Sequence, residues 1–145
     1  MPMAKKPRSR CLSCERETKR AGYKYCDNGC QSDHKYTLYV VSWLQGNESG
    51  GKKCGTVSNH VRRFLISKFG EKCSLCAWCE VNPHTGKIPL EVDHINGDWQ
   101  NNTLENLRLL CPNCHSLTPT YKALNKGKGR DWRKQLYHTM SKSSD

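Results

Sequence analysis

No run of apolar residues in this sequence approaches the roughly 18 residues of a membrane-spanning helix. The basic N-terminus, MPMAKKPRSR, is followed by no apolar stretch, so we expect no secretory signal peptide. Acidic residues are scarce as well, because 13 Asp and Glu stand against 24 Lys and Arg, for a formal net charge of +11. The positive charge predicts an anionic partner, most often a nucleic acid, and the lack of an apolar run predicts no membrane partner. Solubility alone is the alternative reason for such a charge.

Cysteine, in contrast, is abundant, with ten residues in a chain of 145. A chain this short buries only a small core, and small cysteine-rich domains depend on disulfides or metal ions. We expect the protein in a reducing cytoplasm, where disulfides are disfavoured, so the cysteines predict metal binding. Two zinc ions, each with four thiolates, would remove about four positive charges and leave the chain basic.

The first predicted metal-binding segment lies near the N-terminus. Cys11-x2-Cys14 and Cys26-x3-Cys30 are two close pairs, as in treble-clef and zinc-ribbon modules. Each pair would lie on a turn that directs both sulfurs inward, so we predict a structural zinc ion here. His34 is a less favoured substitute ligand.

Two helices are predicted between the cysteine-rich segments. Residues 32–44 and 57–69 carry apolar side chains at helical spacing, and Gly70 is a suitable stop for the second helix. The glycine-rich stretch between them is typical of a loop, and it is too long for a helix-turn-helix motif. Arg62 and Arg63 in the second helix suit phosphate contacts as well as an ordinary solvated face.

A second set of cysteine pairs encloses a long insertion. The pairs are Cys73-x2-Cys76 and Cys111-x2-Cys114. Within the insertion the pattern predicts a strand ending in residues 90–95, a polar loop and a short apolar strand, LRLL. A helix is predicted to start near Pro112, because proline suits the first helical position.

Polar residues cluster around these strands: Asp93 with His94, then Asn106, then His115. The segment DHINGDWQNNTLENLRLLCPNCHSL resembles the signature of HNH endonucleases, with His94, Asn106 and His115 at the three namesake positions. From CEVNPHTGKIPLEVDHI to CPNCHSLTPTY, the chain resembles HNH proteins encoded by bacteriophages. The resemblance implies a small, metal-stabilised α+β fold. It would be a ββα-metal (HNH) core with a zinc knuckle, preceded by the N-terminal four-cysteine zinc module and a helical segment.

The resemblance also implies a role for each of these residues. Asp93 and His115 would hold a catalytic divalent cation, namely Mg²⁺, Mn²⁺ or another. His94 would be the general base that activates water, Asn106 would hold the loop and orient His94, and the second set of four cysteines would hold a structural zinc ion. The chemistry is consistent, since a neutral imidazole can accept a proton near neutral pH. A hard cation with few protein ligands also keeps positions open for phosphate and water.

Some residues of this segment leave alternatives open. His115 follows Cys114 directly, so it would complete the zinc site instead if Cys73 or Cys76 were not a ligand. Cys79 extends the run to C-x2-C-x2-C, which resembles an iron–sulfur motif without its fourth cysteine nearby; a buried thiol is the simpler interpretation. Ala77 stands where HNH proteins commonly have glycine, and it costs little unless the turn needs a positive φ. No role is assigned to three further residues, Cys54, Lys122 and Arg130.

These observations divide the chain into four predicted segments. They are a basic arm with the N-terminal zinc module, a helical connecting and DNA-contacting segment, the HNH nuclease domain and a basic tail, at residues 1–34, 35–70, 71–125 and 126–145. The predicted function is a metal-dependent endonuclease that nicks or cuts double-stranded DNA, in the cytoplasm of a bacterial host if the protein is phage-encoded. The resemblance leaves open a homing role or a packaging role beside the phage terminase. A catalytically inactive, zinc-stapled nucleic-acid-binding protein is the alternative, and the basic charge disfavours a third class, a protein-interaction zinc module.

The basic tail offers a test of the DNA-binding prediction. If Lys126, Lys128 and Arg130 contact phosphates, the triple alanine variant should show a flatter dependence of DNA affinity on salt concentration, because fewer counterions are released on binding. Fluorescence anisotropy titrations at several salt concentrations would measure the slope for the variant and the parent protein. An unchanged slope would exclude the tail from DNA binding.

Overall fold

A computed structural model describes residues 6–126, so most of the basic tail, including Lys128 and Arg130, lies outside the described residues. The described chain is a small α+β structure, as expected. Its helices and strands are α1 (Asn28–Leu44), α2 (Asn59–Phe69), β1 (Glu91–His94), β2 (Leu107–Leu110) and α3 (Pro112–Ser116), with short 3-10 turns at Leu104–Asn106 and Lys122–Leu124. Among residues 6–126, no helix is both long and apolar enough to cross a membrane.

Helix α1 begins earlier than the apolar pattern predicts. The carboxylate of Asp27 accepts a hydrogen bond from the backbone N–H of Cys30 at 2.8 Å and so caps the helix. Cys30 therefore lies both in the N-terminal cysteine segment and in the first turn of α1. The predicted boundary between residues 34 and 35 consequently falls inside a continuous helix.

Helix α2 lies close to its predicted bounds. The Ser58 hydroxyl caps it by accepting from the N–H of His60 at 3.1 Å, and Gly70, with φ of +83°, ends it. On its outer face, Arg63 forms an ion pair with Asp33 of α1 at 2.9 Å, and its guanidinium lies 4.1 Å from the centroid of the Tyr36 ring. Arg63 therefore binds to α1. The sequence had allowed a phosphate contact or a solvated helix face equally.

Strands β1 and β2 form an antiparallel pair that places Asp93 opposite Arg108. Strand β2 coincides with the predicted LRLL segment, and α3 begins at Pro112 as predicted. The residues between the strands, 95–106, form a polar loop with Gly97 at φ of +75°. The order strand, loop, strand, helix is the predicted one.

One hydrophobic core joins the helices to the strand pair. Its buried members come from α1, α2 and β2, from the residue before β1 and from the second set of cysteines. They are Trp43, Val61, Leu65, Cys73, Leu90, Leu107, Leu109, Leu110 and Cys111. Because this core is shared, α1 and α2 support the strand pair directly.

The linker between α1 and α2, residues 45–58, packs closely against the 95–106 loop. The indole N–H of Trp43 donates to the carbonyl of Asn102 at 2.8 Å, and the Asn102 amide donates to the carbonyl of Ser49 at 3.1 Å. Gly50 fits between them, because a Cβ at its position would lie 2.6 Å from Trp43 Nε1 and 2.9 Å from Asn102 Cβ. The sequence indicated a loop here but not this contact.

The Gly50 contact predicts a large difference between two glycine substitutions in one linker. Gly50 and Gly46 both have left-handed backbones, with φ of +71° and +80°, but a Cβ at Gly46 would meet nothing within 4 Å. Both alanine variants should lose about 1–2 kcal/mol from backbone strain. Gly50→Ala should lose about 1–3 kcal/mol more, because its methyl group displaces Trp43 or Asn102. Denaturant unfolding would measure both losses, and equal losses would contradict the close packing.

Candidate metal centres and active site

The N-terminal cysteines form a compact group of four. The Sγ atom of Cys14 lies 3.6 Å from that of Cys26 and 3.7 Å from that of Cys30, and the ligand atoms of the group, completed by Cys11, all lie within 4.8 Å of one another. A tetrahedral ion with metal–sulfur bonds of about 2.3 Å has sulfur–sulfur edges of about 3.8 Å. The group therefore has the dimensions of a metal site. His34 makes a different contact, 3.0 Å from its Nδ1 to the hydroxyl of Tyr25.

The second set of four cysteines forms a similar group. Its members are Cys73, Cys76, Cys111 and Cys114, with ligand atoms within 4.8 Å of one another. Two of its sulfurs, those of Cys76 and Cys111, are 3.8 Å apart. Within the described chain, Cys79 and His115 are not part of this group, and Cys79 is exposed. The interpretation of Cys79 as a buried thiol was therefore wrong.

The first turn of each cysteine group has the same backbone shape. The N–H of Glu15 donates to the carbonyl of Cys11, and the N–H of Ala77 donates to that of Cys73, both at 2.9 Å. Glu15 and Ala77 follow the second cysteine of their turns with φ of +59° and +60°. The turn therefore does need a positive φ at Ala77, at a cost of about 1–2 kcal/mol for a residue with a Cβ.

The thiols of each cysteine group do not ionise with equal ease. Burial opposes ionisation of Cys73, but backbone N–H groups, led by that of Cys111, outweigh it and lower the pKa of the thiol to about 6. The neighbouring sulfurs of Cys76 and Cys111 raise the pKa of Cys114 to about 12. In the N-terminal group, backbone donors likewise outweigh burial and lower the pKa of the first thiol to about 6, whereas burial and neighbouring thiols raise the pKa of the last to about 12. Four thiolates can therefore coexist in either group only around a positive charge.

A buried carboxylate lies on β1 beside the second cysteine group. Asp93 is 5% exposed, and its Oδ2 accepts a hydrogen bond from Nε of Arg108 on β2 at 2.8 Å. Glu91 lies two residues before Asp93, and alternate residues of a strand share a face. The ion pair with Arg108 fixes the Asp93 carboxylate and directs its other oxygen, Oδ1, towards α3.

His115 of α3 faces this carboxylate. Its Nδ1 lies 2.8 Å from Oε2 of Glu91, and its Nε2 lies 3.7 Å from Oδ1 of Asp93, a distance too long for a hydrogen bond. A proton on Nδ1 would be donated to the Glu91 carboxylate, and in the neutral ring this leaves the lone pair of Nε2 directed at Asp93. The ring of Tyr121 packs edge-on against the imidazole, with 5.3 Å between centroids. One oxygen and one nitrogen are thus available to hold a cation between the strand and the helix.

His94 and Asn106 do not contact each other in the expected way. Asn106 closes the loop, since its Oδ1 accepts from the N–H of Asn96 at 3.0 Å and its Nδ2 donates to the carbonyl of Asn101 at 2.7 Å. The ring of His94 instead contacts Asn102, with 2.8 Å between Nε2 and Oδ1. The contacts by which Asn106 was expected to hold the loop are present. The contact with His94 is made instead by Asn102, a residue that the sequence did not indicate.

Two more residues at this site were not foreseen, Glu91 and Arg108. Strand alternation was the signal that could have found Glu91, because it lies two positions from Asp93. Of the residues without an assigned role, Lys122 lies near the site, with its Nζ 4.9 Å from the centroid of the Tyr121 ring. Cys54 is exposed in the linker.

Comparison with known proteins identifies the family. Residues 81–116, which contain Asp93, His94, Asn106 and His115, match a family model described as HNH endonuclease. The "H-N-H endonuclease F-TflIV" of Escherichia phage T5 is 33% identical over 126 residues, covering 83% of this chain and 52% of that protein. The chain thus spans about half the length of this curated relative. No solved structure matches the chain at a comparable level. Through residues 81–116 the chain belongs to the HNH endonuclease family, so the resemblance is confirmed.

The two cysteine groups predict the metal content of the purified protein. Native mass spectrometry should find two tightly bound metal ions per chain, one for each group. Cys114→Ser should retain one ion, because a three-sulfur site loses affinity, and Cys79→Ser should retain both. Loss of an ion from Cys79→Ser with none lost from Cys114→Ser would contradict the assignment of ligands.

Proposed function

We propose that the protein is a metal-dependent HNH endonuclease that hydrolyses phosphodiester bonds in double-stranded DNA. The observation that carries this proposal is the arrangement of Asp93 Oδ1 and His115 Nε2, which face each other at 3.7 Å in the segment that matches the family. His94 follows Asp93 directly at the end of β1. A carboxylate, an imidazole and a second imidazole on the residue next to the carboxylate form a set that is suited to hydrolysis rather than to binding alone.

Asp93 and His115 would hold the catalytic cation. A carboxylate oxygen and a neutral imidazole suit Mg²⁺, Mn²⁺ and similar divalent ions, and two protein ligands leave other coordination positions open. Glu91 orients His115 through its contact with Nδ1, while Arg108 holds the far oxygen of Asp93. The bound ion would offset the negative charge that develops on the phosphoryl group and on the leaving 3′-oxygen.

His94 would accept the proton of the attacking water. A neutral imidazole can accept such a proton near neutral pH. Asn106 keeps the 95–106 loop closed through its bonds to Asn96 and Asn101. His94 is the last residue of β1, directly before that loop, and its ring contacts Asn102 within the loop.

The two cysteine groups would hold structural Zn²⁺, the ion that four thiolates select in small domains. The second ion would serve the active site indirectly. His115 follows Cys114 in a helix of five residues, so the ion that holds Cys111 and Cys114 also sets the position of His115. The zinc site and the catalytic site would then be separate centres on one short helix.

The basic surface would supply DNA affinity. We assign this to the N-terminal zinc module, to α2 and to the basic tail, although Arg63 is bound to Asp33. One active site per chain cuts one strand per encounter, so a monomer would nick. A role in the cytoplasm of a phage-infected bacterium, as a homing enzyme or beside the terminase, is consistent with the phage T5 relative.

A plasmid assay tests the proposed activity. The protein is incubated with supercoiled plasmid and a pool of phage genomic DNA in the presence of EDTA, Mg²⁺ or Mn²⁺, and nicked and linear products are quantified. Cleavage should require the cation and should fall by about 100-fold or more in His94→Ala, the usual loss for a general base. His84→Ala, which changes an exposed histidine in the turn after Asn82, should cleave normally.

Undiminished cleavage by His94→Ala, or cleavage in EDTA, would contradict the assigned active site. DNA binding without cleavage of any substrate would instead favour the inactive, zinc-stapled nucleic-acid-binding protein.

A further inference from the structure

We infer that Asn102 is the positioning residue of His94, and that it determines which ring nitrogen of His94 is free to accept a proton. The inference deepens the proposed function, and it rests on that proposal only in treating His94 as the base. It starts from the 2.8 Å contact between Nε2 of His94 and Oδ1 of Asn102.

The orientation of the Asn102 amide follows from its other contacts. Its Nδ2 donates to the carbonyl of Ser49 at 3.1 Å and approaches the carbonyl of Gln100 at 3.4 Å. Both neighbours are acceptors, so a flipped amide would set oxygen against oxygen on that side. The carbonyl oxygen of the amide must therefore face His94.

The tautomer of His94 follows from this orientation. An amide oxygen only accepts hydrogen bonds, so Nε2 of His94 has to be the donor. A neutral imidazole carries one proton, which leaves Nδ1 with its lone pair exposed for proton transfer. The opposite tautomer would place two lone pairs 2.8 Å apart.

Asn102 is itself held by residues outside the segment that matches the family. It is 6% exposed, and its backbone carbonyl accepts from the indole N–H of Trp43 at 2.8 Å. Ser49 and Gly50 of the linker close around its side chain. The helical segment that the sequence analysis assigned to DNA contact therefore also supports the base.

In the proposed reaction, this tautomer allows Nδ1 of His94 to accept the proton of the attacking water. One O–H bond of water breaks and its proton moves to Nδ1 of His94, while the water oxygen bonds to phosphorus and the bond to the 3′-oxygen breaks. The 3′-oxygen takes a proton from solvent, and His94 later returns its own to solvent. During the step the ring is an imidazolium whose Nε2–H still points at the Asn102 carbonyl dipole, which stabilises the positive charge.

Two variants test this inference. Asn102→Ala removes the acceptor, and Trp43→Phe removes the N–H that holds the Asn102 backbone. Asn47→Ala is the matched control, because Asn47 is an exposed asparagine in the linker between α1 and α2, which packs against the loop that carries Asn102. Each is compared with the parent protein by NMR of ¹⁵N-histidine-labelled samples at a pH where His94 is neutral, with His94→Ala to assign the signals.

The NMR spectra should show the proton of His94 on Nε2, in slow exchange with solvent. That signal should persist in Asn47→Ala, exchange faster in Trp43→Phe and disappear in Asn102→Ala. In cleavage assays, Asn102→Ala should lower kcat by about 10- to 100-fold, part of the usual general-base contribution, with little change in KM.

Two results would overturn the inference. One is a parent protein with the His94 proton on Nδ1, and the other is a folded Asn102→Ala variant with an unchanged ring N–H signal. If Asn102→Ala does not fold, the parent spectrum and Trp43→Phe still decide the question. A protein that shows the predicted ring signals but never cleaves DNA would refute the proposed function while leaving the role of Asn102 intact.

Discussion

The position of His115 depends on the second cysteine group, and most of the candidate site depends on His115. Strand β2 ends at Leu110, and Cys111, the next residue, caps α3 by accepting from the N–H of Cys114 with its sulfur at 3.4 Å. A five-residue helix cannot persist alone, since isolated helices below about 12 residues are marginal. The cysteines thus hold a helix that would otherwise unfold, and they set the distance from its histidine to Asp93 across the strand pair.

The hydrophobic core explains why this small arrangement can be stable. A two-stranded sheet is marginal by itself in water. Here the buried side of β2 packs against Trp43, Val61 and Leu65 of the two long helices, and the cysteine turn closes the same core. Asp93 and Arg108 lie on the other face of the strand pair, where Asp93 is the one strongly buried carboxylate of β1. The helices also reach the 95–106 loop through Trp43 and Ser49, so the fold and the position of His94 share contacts.

Much of this architecture was predictable from local signals in the sequence. Cysteine spacing grouped all eight residues of the two clusters, apolar patterns placed β2 and α2, and Pro112 placed the start of α3. The start of α1 was missed because a capping bond from Asp27 to Cys30, not an apolar residue, begins the helix. The contact of His94 with Asn102 was missed for another reason: it depends on how the linker packs against a loop 50 residues later, and no local pattern encodes that packing.

The central claim is that His115 serves a catalytic cation and not the neighbouring zinc ion. Anomalous diffraction from crystals soaked in Mn²⁺, collected at the zinc and manganese edges, tests it directly. The account predicts one zinc peak inside each cysteine group and a manganese peak between Asp93 Oδ1 and His115 Nε2. A zinc ion coordinated by His115, or manganese bound away from Asp93, would contradict it.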